Sequence, residues 1–246
     1  MKDNFSKQAN LYAAFRPKYP EALYSFLYKH VQHFNAALDV ATGNGQVAVE
    51  LASKFKEVHA TDISAKQLEH AVKLENVFYK VEAAEHTQFP DAYFDLITVA
   101  QAIHWFKFEE FYKEVKRILK PAGIIAVIGY GVLSINEPLD AWLHHFYRNI
   151  TGPYWDKERR YIDEAYKTIP FPFDEITAPS FMMEYEWNRE QFIGYLGTWS
   201  AVQHYIKANG VHPLSKELLN ELQGIWTENA TYVVRFPLLL KIGINR

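Results

Sequence analysis

The residues with the most chemical content lie between 38 and 62. Leu38-Asp39-Val40-Ala41-Thr42-Gly43-Asn44-Gly45-Gln46 sets an acid and then two closely spaced glycines between an apolar run and a helical pattern. A strand, a Gly-x-Gly turn and a helix start aim backbone N–H groups and a helix N-terminus at a bound ligand. Glycines are needed there because a Cβ would block the turn or the ligand's approach. Taken alone, Gly43-Asn44-Gly45-Gln46-Val47-Ala48 also fits the dinucleotide fingerprint with alanine in last place. Asp62 ends the next strand, where a carboxylate accepts ribose hydroxyls. Its alternative use is as a helix N-cap, which Ser64 can supply. Asp39, an acid buried at a strand end, needs partners and is expected either to hold the loop through backbone N–H groups or to meet the ligand. Loop and acids together indicate an adenosine-bearing cofactor without choosing which.

Other residues are candidates by type and place. Arg16 carries a fork of donors suited to a carboxylate, of the cofactor or of an acidic second substrate; a surface arginine before Pro17 is the alternative. Tyr12 and Tyr19 flank it with the same standing, as substrate contacts. His104 and Trp105 follow an apolar strand at its carboxyl end, where α/β sheets collect ligands. Trp199, Ser200, Gln203 and Tyr205 either line a second-substrate pocket or pack a helix on the core. His30 and His33 have helical spacing, but no third histidine or carboxylate joins them, so a surface helix is expected and no metal site.

These residues need a frame. Apolar runs alternate with helical patterns through the first half, the mark of parallel βαβ units. Strands are expected at 36–40, 58–62, 77–82, 94–99 and 124–128. Helices are expected at 46–54, from Ser64 through Leu74, and at 108–119, the last stopped by Lys120-Pro121-Ala122-Gly123. Phe94-Asp95-Leu96-Ile97-Thr98-Val99 is apolar on both faces and so central. From 135 to 172 the chain is aromatic, charged and helical. A strand is expected at 181–187 within 174–188, helices within 189–229, and a last strand at 231–245, where Pro237 predicts a bulge or an edge. The expected fold is α/β, Rossmann-like and doubly wound. Its mostly parallel seven-stranded sheet has an antiparallel C-terminal strand and a helical insertion forming a cap. One domain of 1–246 is expected, with a cofactor-binding core at 20–130 and cap insertions at 131–172 and 189–229.

Composition narrows the function classes. Of 246 residues, 49% are hydrophobic and 22% charged, which is globular. A net charge of −3 supplies no basic field for a nucleic-acid backbone. The chain has no cysteine, which removes disulfides, thiolate metal sites and cysteine nucleophiles. The first residues lack a signal-peptide apolar run. The longest apolar stretch, 123–133, holds three glycines and is too short to span a bilayer, so a cytoplasmic protein without membrane or nucleic-acid partners is expected. Aromatic residues make up 16%, enough either for an aromatic-lined pocket or for an aromatic-rich core.

Three further features choose among cofactors: Asp39 before the glycines, Ala83-Ala84-Glu85-His86 after the third strand, and 94–106 preceding Val115-Lys116-Arg117-Ile118-Leu119-Lys120-Pro121-Ala122-Gly123. With these the sequence resembles the small-molecule class I methyltransferases of the methyltransferase type 11 group. The opening Tyr12-Ala13-Ala14-Phe15-Arg16-Pro17-Lys18-Tyr19-Pro20 is similar to the subgroup of trans-aconitate methyltransferase-like proteins. The resemblance runs from Tyr12 to Gly129, with a looser echo at 198–205. It implies S-adenosylmethionine as cofactor and S-adenosylhomocysteine as product.

By the same resemblance, Ala41, Thr42 and Gly43 border the methionine part, with Gly45 and Gln46 beyond. Asp62 takes the ribose, Ile63 packs on adenine, and Ala84 and Glu85 meet its polar edge. Ala100 and Gln101 close the site beneath the sulfonium. Two departures stand out: Val47 replaces the usual third glycine, and Ala83 stands where many relatives carry Asp. The expected reaction is methyl transfer to a small-molecule acceptor, a carboxylic acid or a hydroxyl, by a monomer or homodimer. A carboxylate needs no general base; for a hydroxyl or carbon, His104 is the candidate because an ordinary imidazole titrates near neutrality. The alternatives are an NAD(P)-dependent oxidoreductase, which the bare loop permits, and a non-catalytic cofactor sensor.

Overall fold

The computed structural model describes residues 15–246; Tyr12 lies outside them. Eight strands form one sheet: β1 (Ala36–Val40), β2 (Glu57–Asp62), β3 (Val77–Val81), β4 (Phe94–Ala100), β5 (Leu119–Tyr130), β6 (Asp174–Ile176), β7 (Met182–Trp187) and β8 (Tyr232–Ile244). Their order is β3-β2-β1-β4-β5-β8-β6, a path of seven, and β7 adds to β8 off that path. Strands β1 to β5 pair in parallel, whereas β8 runs antiparallel to β5, β6 and β7. Every residue of β1 is buried, and β4 is buried through Val99, as unbroken apolar runs covered on both faces require.

The chain leaves β1 toward β2 and β3, then returns to β4 on β1's other side. The carboxyl ends of β1 and β4 are therefore the switch point where open α/β sheets bind ligands. Helices α1 (Glu21–Tyr28) and α2 (Gln46–Ala52) cover one face through Leu23, Leu27, Val47 and Leu51. The other face is covered by α4 (Phe108–Ile118) through Phe111 and Val115, and by the Ile162–Ile169 region. The short α3 (Ala65–Glu69) follows β2.

A third core sits at one end of the sheet. It joins α5 (Glu137–His145), α7 (Arg189–Gly197), α8 (Ser200–Asn209) and α9 (Lys216–Ile225) to β7 and the first half of β8; the one-turn α6 (Arg160–Asp163) lies outside it. Trp142, Phe146, Phe192, Trp199, Trp226 and Phe236 dominate it, which is where much of the aromatic content is spent. The chain carries no helix among its described residues long and apolar enough to cross a membrane.

Three local expectations change, and the one at Pro237 holds. The helix capped by the Ser64 hydroxyl ends at Glu69, not Leu74, because Lys73 Nζ donates to the Leu68 carbonyl (3.0 Å) and Tyr79 O–H to that of Val72 (2.8 Å). The strand expected at 181–187 is β7, and a further short strand, β6, precedes it within 174–188. Pro237 stands where β8 passes from pairing with β7 (Met182 opposite Pro237) to pairing with β5 (Tyr130 opposite Leu238). The register shifts by one residue there, as a bulge does: Gly131 N–H donates to the Pro237 carbonyl, whereas Ser134 pairs with Arg235. His30 and His33 follow α1 rather than lying on a helix: His30 packs edge-on against Phe26. Among the described residues no cluster of three metal-ligating side chains occurs.

Candidate functional site

The turn after β1 is built from left-handed backbone. Ala41, Gly43 and Gly45 have φ of +53°, +60° and +84°, which opens the N-terminal end of α2 toward the sheet edge. A Cβ on Gly45 would lie 2.3 Å from the Tyr79 hydroxyl. Thr42 N–H donates to the Thr61 carbonyl (2.9 Å), pinning the turn to β2. Asp62 secures it from the other side, accepting from Gly43 N–H at 2.9 Å with one oxygen and from Ser64 N–H at 2.8 Å with the other. Asp62 stands at the carboxyl end of β2, beside the turn and at the sheet edge.

Asp39 lies under the turn at 2% exposure. Thr42 O–H donates to it at 2.5 Å and Thr98 O–H at 2.7 Å, and the Ala48 backbone N–H in α2 supports it as well. Burial pushes its carboxyl up to about 6, the nearby Asp62 adding to the rise and the two hydroxyl bonds opposing it. A cavity opens above, lined by Asp39, Ala41, Thr42, Gly43, Gln46 and Gln101 together with Arg16, Tyr19, Ala100 and Tyr130. Gln101 has φ +53°, donates through its backbone N–H to Ile128 O and through Nε2 to Tyr130 O. Arg16 Nη1 donates to the Tyr130 hydroxyl at 2.6 Å, and Nη2 reaches the Thr198 carbonyl at 3.4 Å. Farther along the edge, Ile63 is half-buried, Ala84 is buried, and Glu85 accepts from Lys107 N–H at 3.2 Å.

A second cavity adjoins the first and shares Arg16 and Gln101 with it. Its remaining wall comes from His104 and Trp105 after β4, from Trp155, Asp156, Arg159 and Ile162 in the cap, and from Tyr195, Trp199 and Ser200 at the α7–α8 junction. His104 is 6% exposed, and its Nδ1 has no partner among the described residues. Burial pushes its pKa down to about 3, with the Arg159 cation adding to the fall. The expectation of a base poised near neutrality is therefore corrected: the imidazole is neutral and weakly basic. Tyr19 faces the first cavity rather than the second. Gln203 is drawn out of the wall, donating through Nε2 to the Gly197 carbonyl at 3.0 Å.

Trp155, Asp156, Arg159 and Tyr195 were not singled out from sequence. Lys157-Glu158-Arg159-Arg160 reads as a solvated charge run, and nothing in its spacing marks Arg159 as inward-facing. The Arg159 guanidinium lies over the Trp155 ring (4.5 Å) and the Tyr147 ring (5.3 Å).

The Methyltransferase domain family matches residues 38–127, the stretch carrying the turn, Asp62 and β4. A Dictyostelium discoideum protein named as a methyltransferase is 36% identical over 225 residues, covering 90% of this chain and 84% of its own. The chain belongs to the class I S-adenosylmethionine-dependent methyltransferases. Methyltransferase cfoB of Aspergillus candidus is 29% identical over 74% of this chain and 64% of its own length. A solved structure from Anaeromyxobacter dehalogenans, named for a type II methyltransferase, is 35% identical with a TM-score of 0.85, covering 94% of this chain and 98% of that one. The methyltransferase thus takes S-adenosylmethionine as its cofactor. The oxidoreductase and sensor alternatives find no support. The residues fit the cofactor: a buried carboxylate that carries charge at neutral pH suits a cationic ligand, and the backbone at Gly43, where a Cβ would have no neighbour nearer than 4.0 Å, leaves space above it.

Proposed function

We propose that this methyltransferase methylates a small-molecule acceptor, a carboxylic acid or a hydroxyl compound, bound in the cavity behind Gln101. The observation that carries this reading is the adjacency of the two cavities through Arg16 and Gln101, which gives one ligand direct access to the other. S-adenosylmethionine supplies the methyl group from its sulfonium.

The chain's own residues bind, orient and exclude water. Asp62 accepts the ribose hydroxyls while holding the glycine turn. Ile63, Ala84 and Glu85 flank the adenine, and Ala41, Thr42, Gly43, Gly45 and Gln46 present backbone to the methionine part. Asp39 supplies negative charge beneath it, and Arg16 supplies positive charge where the two cavities meet. Ala100 and Gln101 separate the two ligands. Trp105, Trp155 and Trp199 exclude water from the acceptor, so that alignment and desolvation supply most of the acceleration. Neutral His104 orients the acceptor by hydrogen bonding.

We take 20–130 as the cofactor-binding core, with 131–172 and 189–229 as the cap that closes on the acceptor. Incorporation of labelled methyl into a panel of carboxylic acids and phenols tests the assignment. Ser200→Trp, which fills the second cavity, should abolish turnover and leave S-adenosylhomocysteine binding unchanged. Full turnover in that variant would place the acceptor elsewhere.

A further inference from the structure

The second cavity carries information about its occupant. Its wall presents four large rings, those of Trp105, Trp155, Tyr195 and Trp199, which suit the faces of a flat ring system better than a flexible chain. It also contains Arg159, whose side chain is only 20% exposed. The Arg159 Nε donates to the Tyr147 hydroxyl at 2.8 Å and lies 3.5 Å from Asp163, so that side of the guanidinium is satisfied. Its two Nη groups have no hydrogen-bond partner among the described residues. Asp156, the acid in the same wall, lies against His204 at 3.7 Å instead. The rings of Trp155 and Tyr147 hold the guanidinium plane in place. A half-desolvated planar cation held by aromatic faces, with its outer donors free, is the arrangement that receives an acid group in a forked contact.

We propose that the acceptor is an aromatic molecule bearing an anionic acid group, and that Arg159 is the specificity-determining residue that holds this group. The proposal rests on the reading of the second cavity as the acceptor site. Arg159 lines only the second cavity, whereas Gln101 and Arg16 line both. The acid group is therefore a handle at the far end, and the opposite end of the molecule is presented at Gln101. Neutral His104 beside Arg159 fits this layout, since a second cation there would repel Arg159 while the site is empty of an anion.

The test titrates the tryptophan fluorescence of the S-adenosylhomocysteine-loaded protein with benzoate, 4-hydroxybenzoate and indole-3-acetate, each beside its uncharged amide, and with succinate. At least one aromatic acid should bind about tenfold or more tightly than its amide, the value of a charged hydrogen-bonded pair. Arg159→Gln should erase that preference while amide binding and S-adenosylhomocysteine affinity stay at wild-type values. Arg159→Lys, which keeps the charge and loses the fork, should restore part of it. The proposal is overturned if acids and amides bind alike, if the preference survives Arg159→Gln, or if succinate matches the best aromatic acid. Amide binding without acid preference would leave the cavity reading standing. Failure of every probe, with turnover indifferent to Ser200→Trp, would remove both.

Discussion

At the scale of single residues, charge placement separates Asp39 and His104, two of the buried titratable groups at the switch point. Asp39 has its pKa raised by burial, from 3.8 to about 6. Its contribution to stability is thus fully present below the unfolded value and is lost as pH rises through about 6, by something on the order of 3 kcal/mol. Asp39→Asn should gain on the wild type in ligand-free denaturant melts as pH rises from 4 to 7; a constant difference across that window would contradict the assigned burial. His104 moves the other way, its pKa lowered from 6.5 to about 3. Its contribution is present above 6.5 and is lost as pH falls toward 3. An NMR titration of the His104 ring should find it neutral at pH 5, and no inflection near 6.5 in kcat/KM should vanish in His104→Gln. Asp62 holds the Gly43 and Ser64 N–H groups, and the proposed reading adds the ribose to its partners. Asp62→Ala should weaken S-adenosylhomocysteine binding roughly 10–100-fold by calorimetry, as loss of charge-assisted hydrogen bonds predicts. Unchanged affinity would take the ribose off this carboxylate.

At the scale of elements, the turn from β1 into α2 depends on a contact that spacing alone does not reveal. Gly45 is needed both for its φ of +84° and because Tyr79 of β3 lies across it. Gly45→Ala should cost about 1–3 kcal/mol, and Tyr79→Phe, which removes the closest atom, should recover part of that loss in a double-mutant cycle. Additive effects would deny the contact. The pattern of apolar runs located β1 to β5 and the helices between them because burial on both faces leaves long unbroken apolar stretches. The end of α3 was not legible, since Lys73 and Tyr79 close it by side-chain bonds from outside the helix. The pairing of β8 with β7 and then β5 was not legible either, since one strand changing partners at Pro237 leaves a single continuous apolar run.

At the scale of the whole molecule, the sheet edge and the cap meet around Arg16, which ties Tyr130 at the end of β5 to the Thr198 carbonyl between α7 and α8. Ligand binding at the switch point is therefore coupled to global stability. S-adenosylhomocysteine at a hundredfold its Kd should add about 2.7 kcal/mol, a rise in Tm of roughly 5–10 °C for a chain of this size. NAD at the same concentration should leave Tm unmoved, and a shift with NAD alone would count against the cofactor assignment.

The sequence by itself determined the cofactor end of this protein. Glycine spacing, a strand-end acid and the order of the following segments are local in the chain, and the parallel sheet carries each of them to the same edge. Only the tertiary structure decided the second cavity. Arg16, His104, Arg159 and Trp199 come from four distant segments, and whether each side chain turns inward depends on how the cap packs. The same packing removed Gln203 from the wall, admitted Arg159 to it, and took from His104 the proton affinity that its residue type suggests. Burial is a property of the folded neighbourhood, and no spacing within the chain encodes it.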